Sequence, residues 1–301
     1  TRNQVADQVA RAYLAALRNE ATLATAKANL ELSEALLKLA NSQKRAGTGT
    51  GIEVTRAEVQ LANDRQRLVV AQNERERARL QLMRTVGLRL EGSVELTDKL
   101  DYKPSEAPSA ADAVKAALGD RPELKAQQDR VRNADLSYGA TKWERLPSVG
   151  FFGDYGSIGP GIDSAFPTRN FGVSLKVPLF DGGRRDARRA ESLSQLRQER
   201  IRATDLKEQI ELDVRLALES LRSADAQVTA AREGVELAEK EVTQARRRYE
   251  AGVANSVEVT DAQTRLQRAR DNQISALFNH NLARIDLNTA MGTIQQFVSS
   301  F

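Results

Sequence analysis

Residues 26–87 lie over residues 231–292 with a constant offset of 205 and no gap. Along that overlay Ala26/Ala231, Glu31/Glu236, Leu32/Leu237, Glu34/Glu239, Ala40/Ala245, Ala46/Ala251, Gly47/Gly252, Glu53/Glu258, Val54/Val259, Thr55/Thr260 and Ala57/Ala262 are identical. So are Leu61/Leu266, Arg65/Arg270, Ala71/Ala276, Ala78/Ala283, Arg79/Arg284, Leu82/Leu287 and Gly87/Gly292. An ungapped repeat of this length means that one structural unit is used twice. The two copies stand far apart in the chain, which argues for a duplicated block in a larger symmetric assembly and against a solenoid of short repeats.

Ala, Leu, Arg, Glu and Gln dominate the repeat and its flanks, the composition of long helices. With aromatic residues at 5%, one large globular core is not expected. A net charge of +4 from 45 basic and 41 acidic residues is not the footprint of a nucleic-acid binder. The absence of Cys excludes disulfides and Cys-ligated metals. No run of 18 apolar residues exists to make a transmembrane helix. Thr1 opens in the middle of a helical pattern without a Met, so the reading frame is expected to continue upstream.

Apolar residues recur at helical steps through residues 3–45, and Gly47-Thr48-Gly49-Thr50-Gly51 interrupts them. A second helix is expected from about Ile52 to Val86, stopped by Gly87. Residues 88–121 read as a connector broken by Pro104 and Pro108, with a short helix from Ala110 to Leu118. Pro122 then opens a helix that reaches about residue 145. Between Pro147 and Pro178 the period changes from helical to two. Val149, Phe151 and Tyr155 alternate with Ser148, Gly150, Phe152 and Asp154; Phe171, Val173, Leu175 and Val177 alternate with Gly172, Ser174 and Lys176. This predicts antiparallel strands at about 147–155 and 171–179, joined by a loop over Gly156–Asn170. The helical period resumes at residue 183 and runs without Pro to 250, a single helix about 100 Å long at about 1.5 Å per residue. A tip at 251–255, a final helix at 256–290 and a tail at 293–301 complete the chain. The domain reading is therefore 1–87 as half of one repeat, 88–121 as connector and 122–292 as the second repeat. Long helices meeting at a tight glycine turn form αα-hairpins, which must bury their apolar stripes against other hairpins.

The duplicated hairpin, the inserted strand pair and Val177-Pro178-Leu179-Phe180-Asp181-Gly182-Gly183 running into a long helix together resemble the TolC-like outer membrane efflux protein family. The tip Arg248-Tyr249-Glu250-Ala251-Gly252-Val253 with Val257-Glu258-Val259-Thr260-Asp261-Ala262 is similar to that family's second-repeat tip, and Ala46-Gly47-Thr48 with Ile52-Glu53-Val54 to its first. The resemblance implies a mainly α fold: very long antiparallel, coiled-coil-like helical hairpins, duplicated, with a strand pair contributing to an outer-membrane β-barrel. It implies a homotrimer in which four strands per protomer close one twelve-stranded barrel and the helices form a tunnel through the periplasm of a Gram-negative cell. Counterparts of the first strand pair are missing here, an apparent N-terminal truncation. The upstream frame is expected to supply that pair and a signal peptide, since an open sheet edge is not tolerated in lipid.

On their own residues, the strands fit a barrel wall and a soluble β-hairpin equally; helices entering and leaving from the same end favour the wall. Val149, Phe151, Tyr155, Phe171, Val173, Leu175 and Val177 are then the lipid face, and Pro147, Pro178, Asp181, Gly182 and Gly183 the strand–helix junction. Gly47–Gly51 lacks the Gly-Lys-Ser/Thr ending of a phosphate loop and follows a helix, so it reads as a helix–helix turn. His280 is the only histidine and reads as structural. For Arg184, Arg185, Arg188 and Arg189 two readings stay open: a salt-bridged helix face, or a contact with lipid phosphates. Glu258 and Asp261 share a helix face. That face is a solvated surface on its residues alone, and by the resemblance the acidic ring of a periplasmic gate. By the same resemblance Tyr249 and Glu53 link inner and outer hairpins when the gate is closed. The basic partner expected two residues after the tip glycine is replaced by Ala254. The tips Ala46, Gly47, Thr48, Ala251, Gly252 and Val253 are expected to dock a periplasmic adaptor (a membrane fusion protein), which couples to an inner-membrane transporter. No catalytic residue, cofactor or metal is expected. The competing reading is a soluble coiled-coil scaffold or adaptor hairpin, which accounts for the helices but not for the aromatic strand pair.

Overall fold

The structure, a computed structural model, describes residues 2–92, 94–104, 108–161, 164–177 and 179–299. In chain order the elements are α1 (Arg2–Arg45), α2 (Gly51–Val86), α3 (Ala110–Asp120), α4 (Pro122–Trp143), β1 (Ser148–Ile158), β2 (Phe166–Lys176), α5 (Arg184–Glu250), α6 (Ser256–Met291) and α7 (Ile294–Ser299). They divide into two compact units, one of residues 1–120 and 210–301, the other of residues 121–209.

In the first unit, the helix ends repeat almost bond for bond across the duplication. Gly47 and Gly252 adopt φ of 74° and 70°, Gly87 and Gly292 φ of 80° each. At each of the four, the glycine N–H donates to the carbonyl three residues back and the following N–H to the carbonyl five back, as in Gly252 N to Tyr249 O and Val253 N to Arg248 O. This double closure satisfies carbonyls that the helix leaves free, and it needs a left-handed residue that glycine adopts without a Cβ clash. The starts of the second helices differ. Glu53 accepts from the N–H of Thr50 at 2.8 Å to cap α2, whereas Asn255 Oδ1 accepts from the N–H groups of Val257 and Glu258 at 3.1 and 3.2 Å to cap α6.

The identities of the repeat also mark its core. Ala40 and Ala245, Val54 and Val259, Leu61 and Leu266, Ala71 and Ala276, and Leu82 and Leu287 are all buried. One cluster joins Leu36 of α1, Ala238, Val242, Ala245 and Tyr249 of α5, and Val259, Ala262 and Leu266 of α6. A second gathers Ala10, Leu14 and Leu17 around Ile274, Ile285 and Ile294, with Leu100 of the connector among them. Residues 293–301 read as a tail in the sequence, but Ile294 is fully buried and α7 packs on α1 and α6. A single Ile-x-x-Phe turn is too short for its period to stand out.

In the second unit, α4 and the first part of α5 bury Leu124 and Leu196. Gln127 Nε2 donates to the Glu199 carboxylate at 2.7 Å, and Arg200 meets Asp135 at 3.4 Å. The strands pair antiparallel from Ser148↔Lys176 to Ile158↔Phe166. The ladder therefore runs further than the alternation of side chains signals, into the segment read as loop. The pairing is made by backbone, so Gly156, Pro167 and Thr168 extend it without an apolar pattern; Pro167, lacking a donor, is compatible with a sheet edge.

Because an added Cβ at Gly87 would meet nothing within 4 Å, its cost is backbone strain alone. Gly87→Ala is expected to lower unfolding stability by about 1 kcal/mol, and Asn255→Ala by a similar ~1 kcal/mol through the lost cap. Denaturant titration followed by helical circular dichroism measures both.

Candidate functional site

At the tips Gly47 and Gly252 are exposed, as are Ala46, Ala251 and Val253, while Thr48 Oγ1 donates to the Gln43 carbonyl at 3.3 Å. A cross-link between the hairpins lies just inside them: Gln43 Nε2 donates to the backbone carbonyl of Tyr249 at 2.9 Å. Nothing in the sequence pattern pointed to Gln43, since its partner is a carbonyl more than two hundred positions away.

The four gate candidates have distinct surroundings. Tyr249 is buried and its hydroxyl has no hydrogen-bond partner. Burial, and then the negative charge of Glu53, push its pKa up. Glu53 itself is engaged as the cap of α2, so it is not hydrogen-bonded to Tyr249. Glu258 forms an ion pair with Arg248 at 2.9 Å across the tip of its own hairpin. Asp261 is exposed. The Arg248–Glu258 pair closes on the second hairpin itself, and α-helical spacing alone does not bring Arg248 opposite Glu258.

On the strand pair, directly opposed residues share a face. Val149 opposes Leu175, Phe151 opposes Val173, Gly153 opposes Phe171 and Tyr155 opposes Arg169. The Arg169 guanidinium lies 5.6 Å from the Tyr155 ring. Together with Val177 these apolar side chains are all at least half exposed, Phe151 at 87%. The other face carries Ser148, Lys176, Ser174, Asp154 and Asn170, with the Phe152 ring lying over Gly172, where a Cβ would come within 2.2 Å of the ring. At the junction, Asp181 accepts from the backbone N–H of Arg185 at 3.1 Å and pairs with its guanidinium at 3.0 Å. Gly182 and Gly183 follow with φ of 68° and 82°. Pro147 precedes β1; Pro178 lies outside the described residues.

A buried polar node also escaped the sequence reading. His280 is completely buried, and its Nε2 comes within 2.9 Å of Asp225 Oδ1. The approach is off the line a hydrogen bond requires, and neither ring nitrogen has a partner. The Tyr102 ring of the connector lies 4.8 Å from the imidazole, tilted by 48°, and its hydroxyl donates to Asp225 at 3.3 Å. Burial holds the His280 pKa below its ordinary value against the pull of Asp225, and Arg284 lowers it further.

The mainly helical fold with one antiparallel strand pair is that of the TolC-like channels. The chain belongs to the outer membrane efflux protein family, which it matches over residues 113–293. It is 27% identical over 293 residues to the probable efflux pump outer membrane protein SepC of Pseudomonas putida, covering 94% of this chain and 60% of that protein. The fold matches the outer membrane protein VceC of Vibrio cholerae with a TM-score of 0.81 at 20% identity, over 97% of this chain and 70% of that one. It matches the open state of the Neisseria gonorrhoeae MtrE outer membrane channel with a TM-score of 0.82 at 20% identity, over 96% and 66%. The chain therefore spans about 60% of the length of the curated relatives it matches. Among the described residues, no helix is long and apolar enough to cross a membrane.

The His280 node gives a pH dependence of definite sign. The native pKa lies below the unfolded value near 6.5, so the unfolded chain takes up the proton first as pH falls. Stability is then lost from about pH 6.5 downward until the native ring also protonates, by at most ~1.4 kcal/mol per pH unit. His280→Gln is expected to flatten this slope. Denaturation midpoints between pH 5 and 7 measure it, and NMR titration of the one histidine in the chain should return a pKa below 6.5.

Proposed function

We propose that this chain is part of an outer-membrane channel subunit of a tripartite export system. One observation carries the reading: an antiparallel pair of 11-residue strands, apolar and exposed on one face, inserted between long helices. Nine to eleven residues is the length a tilted strand needs to cross a bilayer, and a half-apolar wall is what lipid on one side and water on the other require. The two strands cannot close a barrel alone, so the reading includes a homotrimer and further strands from each protomer. Membership of the outer membrane efflux protein family supports it.

In this reading the protein is a passive conduit with no catalytic residue. Energy comes from an inner-membrane transporter coupled through a periplasmic adaptor. Ala46, Gly47, Thr48, Ala251, Gly252 and Val253 form the docking ends, because a left-handed glycine lets a partner backbone approach closely. Glu53, Tyr249, Glu258 and Asp261 surround the periplasmic gate. In a trimer Glu258 and Asp261 converge on the axis; like charges held close repel one another and resist closure unless cations compensate.

Gly252→Trp is expected to abolish export in cells while trimer assembly, read by native gel, stays intact; unchanged export refutes tip docking. For the gate, single-channel currents of the complete protein should fall on adding millimolar divalent cation. Glu258→Ala with Asp261→Ala should remove that block and leave open conductance unchanged. Equal block in both proteins would exclude the acidic ring.

A further inference from the structure

The junction between the strand pair and the helices holds a group of residues that neither conduction nor docking uses. Leu179 and Phe180 are 93% and 92% exposed, and Trp143, at the end of α4, is 69% exposed. The glycines Gly182 and Gly183, both left-handed, set the turn that follows them. Such large apolar side chains surrounded by water forgo the free energy that their burial would supply.

Cations stand beside them. Arg145 pairs with Asp186 at 2.7 Å, Arg188 with Glu144 at 3.1 Å and Arg185 with Asp181 at 3.0 Å. Those three pairs engage Asp186, Glu144 and Asp181, and Glu191 is the one further carboxylate on this stretch of α5. Arg184 and Arg189 remain exposed, and neither has a hydrogen bond or ion pair among the described residues. Lys142 sits over the Tyr138 ring at 4.3 Å and also lacks a carboxylate. The region therefore carries uncompensated positive charge next to exposed aromatic surface, at the helical end of the apolar strand face.

We propose that Arg184 and Arg189, with Trp143 and Phe180, form a headgroup site for anionic phospholipid. Aromatic rings are amphipathic enough to settle at the boundary between acyl chains and headgroups. A guanidinium matches two phosphate oxygens at once, and neither of these two is held in an ion pair among the described residues. Phosphate on a lipid, not free in solution, is the occupant, because the apolar and the cationic side chains are then satisfied by one molecule. The proposal rests on reading the strand pair as a membrane wall.

The whole chain contains one tryptophan, so Trp143 emission reports this site alone. The test adds vesicles of phosphatidylethanolamine with phosphatidylglycerol, or of phosphatidylcholine, and follows the blue shift and its quenching by lipids brominated near the headgroup. A shift with both compositions and much tighter partitioning into the anionic one is expected. Each surface arginine is worth about fivefold in binding to an anionic surface, so Arg184→Gln with Arg189→Gln should lower that preference roughly 30-fold. Both side chains are exposed, and circular dichroism confirms that the variant folds. The control Arg56→Gln with Arg65→Gln removes the same charge from α2 and should leave most of the preference in place. Equal partitioning of the wild type into both vesicles overturns the headgroup site and leaves the membrane wall standing. Equal losses in the two variants overturn it in favour of net charge. A blue shift prevented by millimolar free phosphate, or salt-sensitive self-association lost in the variant, overturns it in favour of another occupant. No shift with either lipid overturns the headgroup site.

Discussion

The helical part of this protein depends on a narrow seam of apolar side chains. Ala238, Ala245 and Ala262 are interleaved with the larger Leu36, Val242, Tyr249, Val259 and Leu266 where α1, α5 and α6 pack together. Small residues let helix backbones approach closely, and close approach is what makes a stripe two or three side chains wide sufficient to hold a long helix. The remaining circumference is charged, which explains a chain with 29% charged residues and yet extended helices. Many of these charges form pairs at three- and four-residue spacing, such as Lys240 with Glu236 and Arg222 with Glu219. Exposed pairs of this kind contribute only tenths of a kcal/mol each, so packing along the seam decides which helices associate.

Duplication has preserved geometry more faithfully than chemistry. Four glycines close four helices with the same pair of hydrogen bonds, and the buried positions of the two copies correspond. The entries into α2 and α6 have diverged, one capped through Glu53 and the other through Asn255. That divergence matters at the tips. In the second copy the carboxylate equivalent to Glu53 is Glu258, freed from capping by Asn255 and paired with Arg248 instead. A residue released from a structural duty in one repeat is available for a functional one.

The strand pair follows different physics from the seam. Its apolar face is covered by none of the chain's own described helices, and its small residues serve the sheet: Gly172 admits the Phe152 ring and Gly153 admits Phe171. Flanked by Tyr155 and Arg169 at one end and by Trp143 and Phe180 at the other, the face has aromatic residues at both of its limits. A soluble domain would bury such a face; in the proposed channel, lipid and neighbouring strands bury it.

Much of this was determined by the sequence alone. The repeat, the period-two segment, the glycine stops and the family resemblance fixed helices, hairpins and strand faces, because each is a local or periodic property that side chains declare in order. The bounds of the ladder, α7 and every long-range polar contact were not legible. Gln43 on the Tyr249 carbonyl, Arg248 on Glu258, and His280 packed between Asp225 and Tyr102 join positions with no common period, and two of the three involve backbone or ring contacts that residue type does not advertise. His280 shows the difference most clearly. Its identity in the sequence says only that a titratable ring sits in a helix; complete burial beside a misaligned carboxylate, which only the packing of α5, α6 and the connector creates, decides that the ring resists its proton.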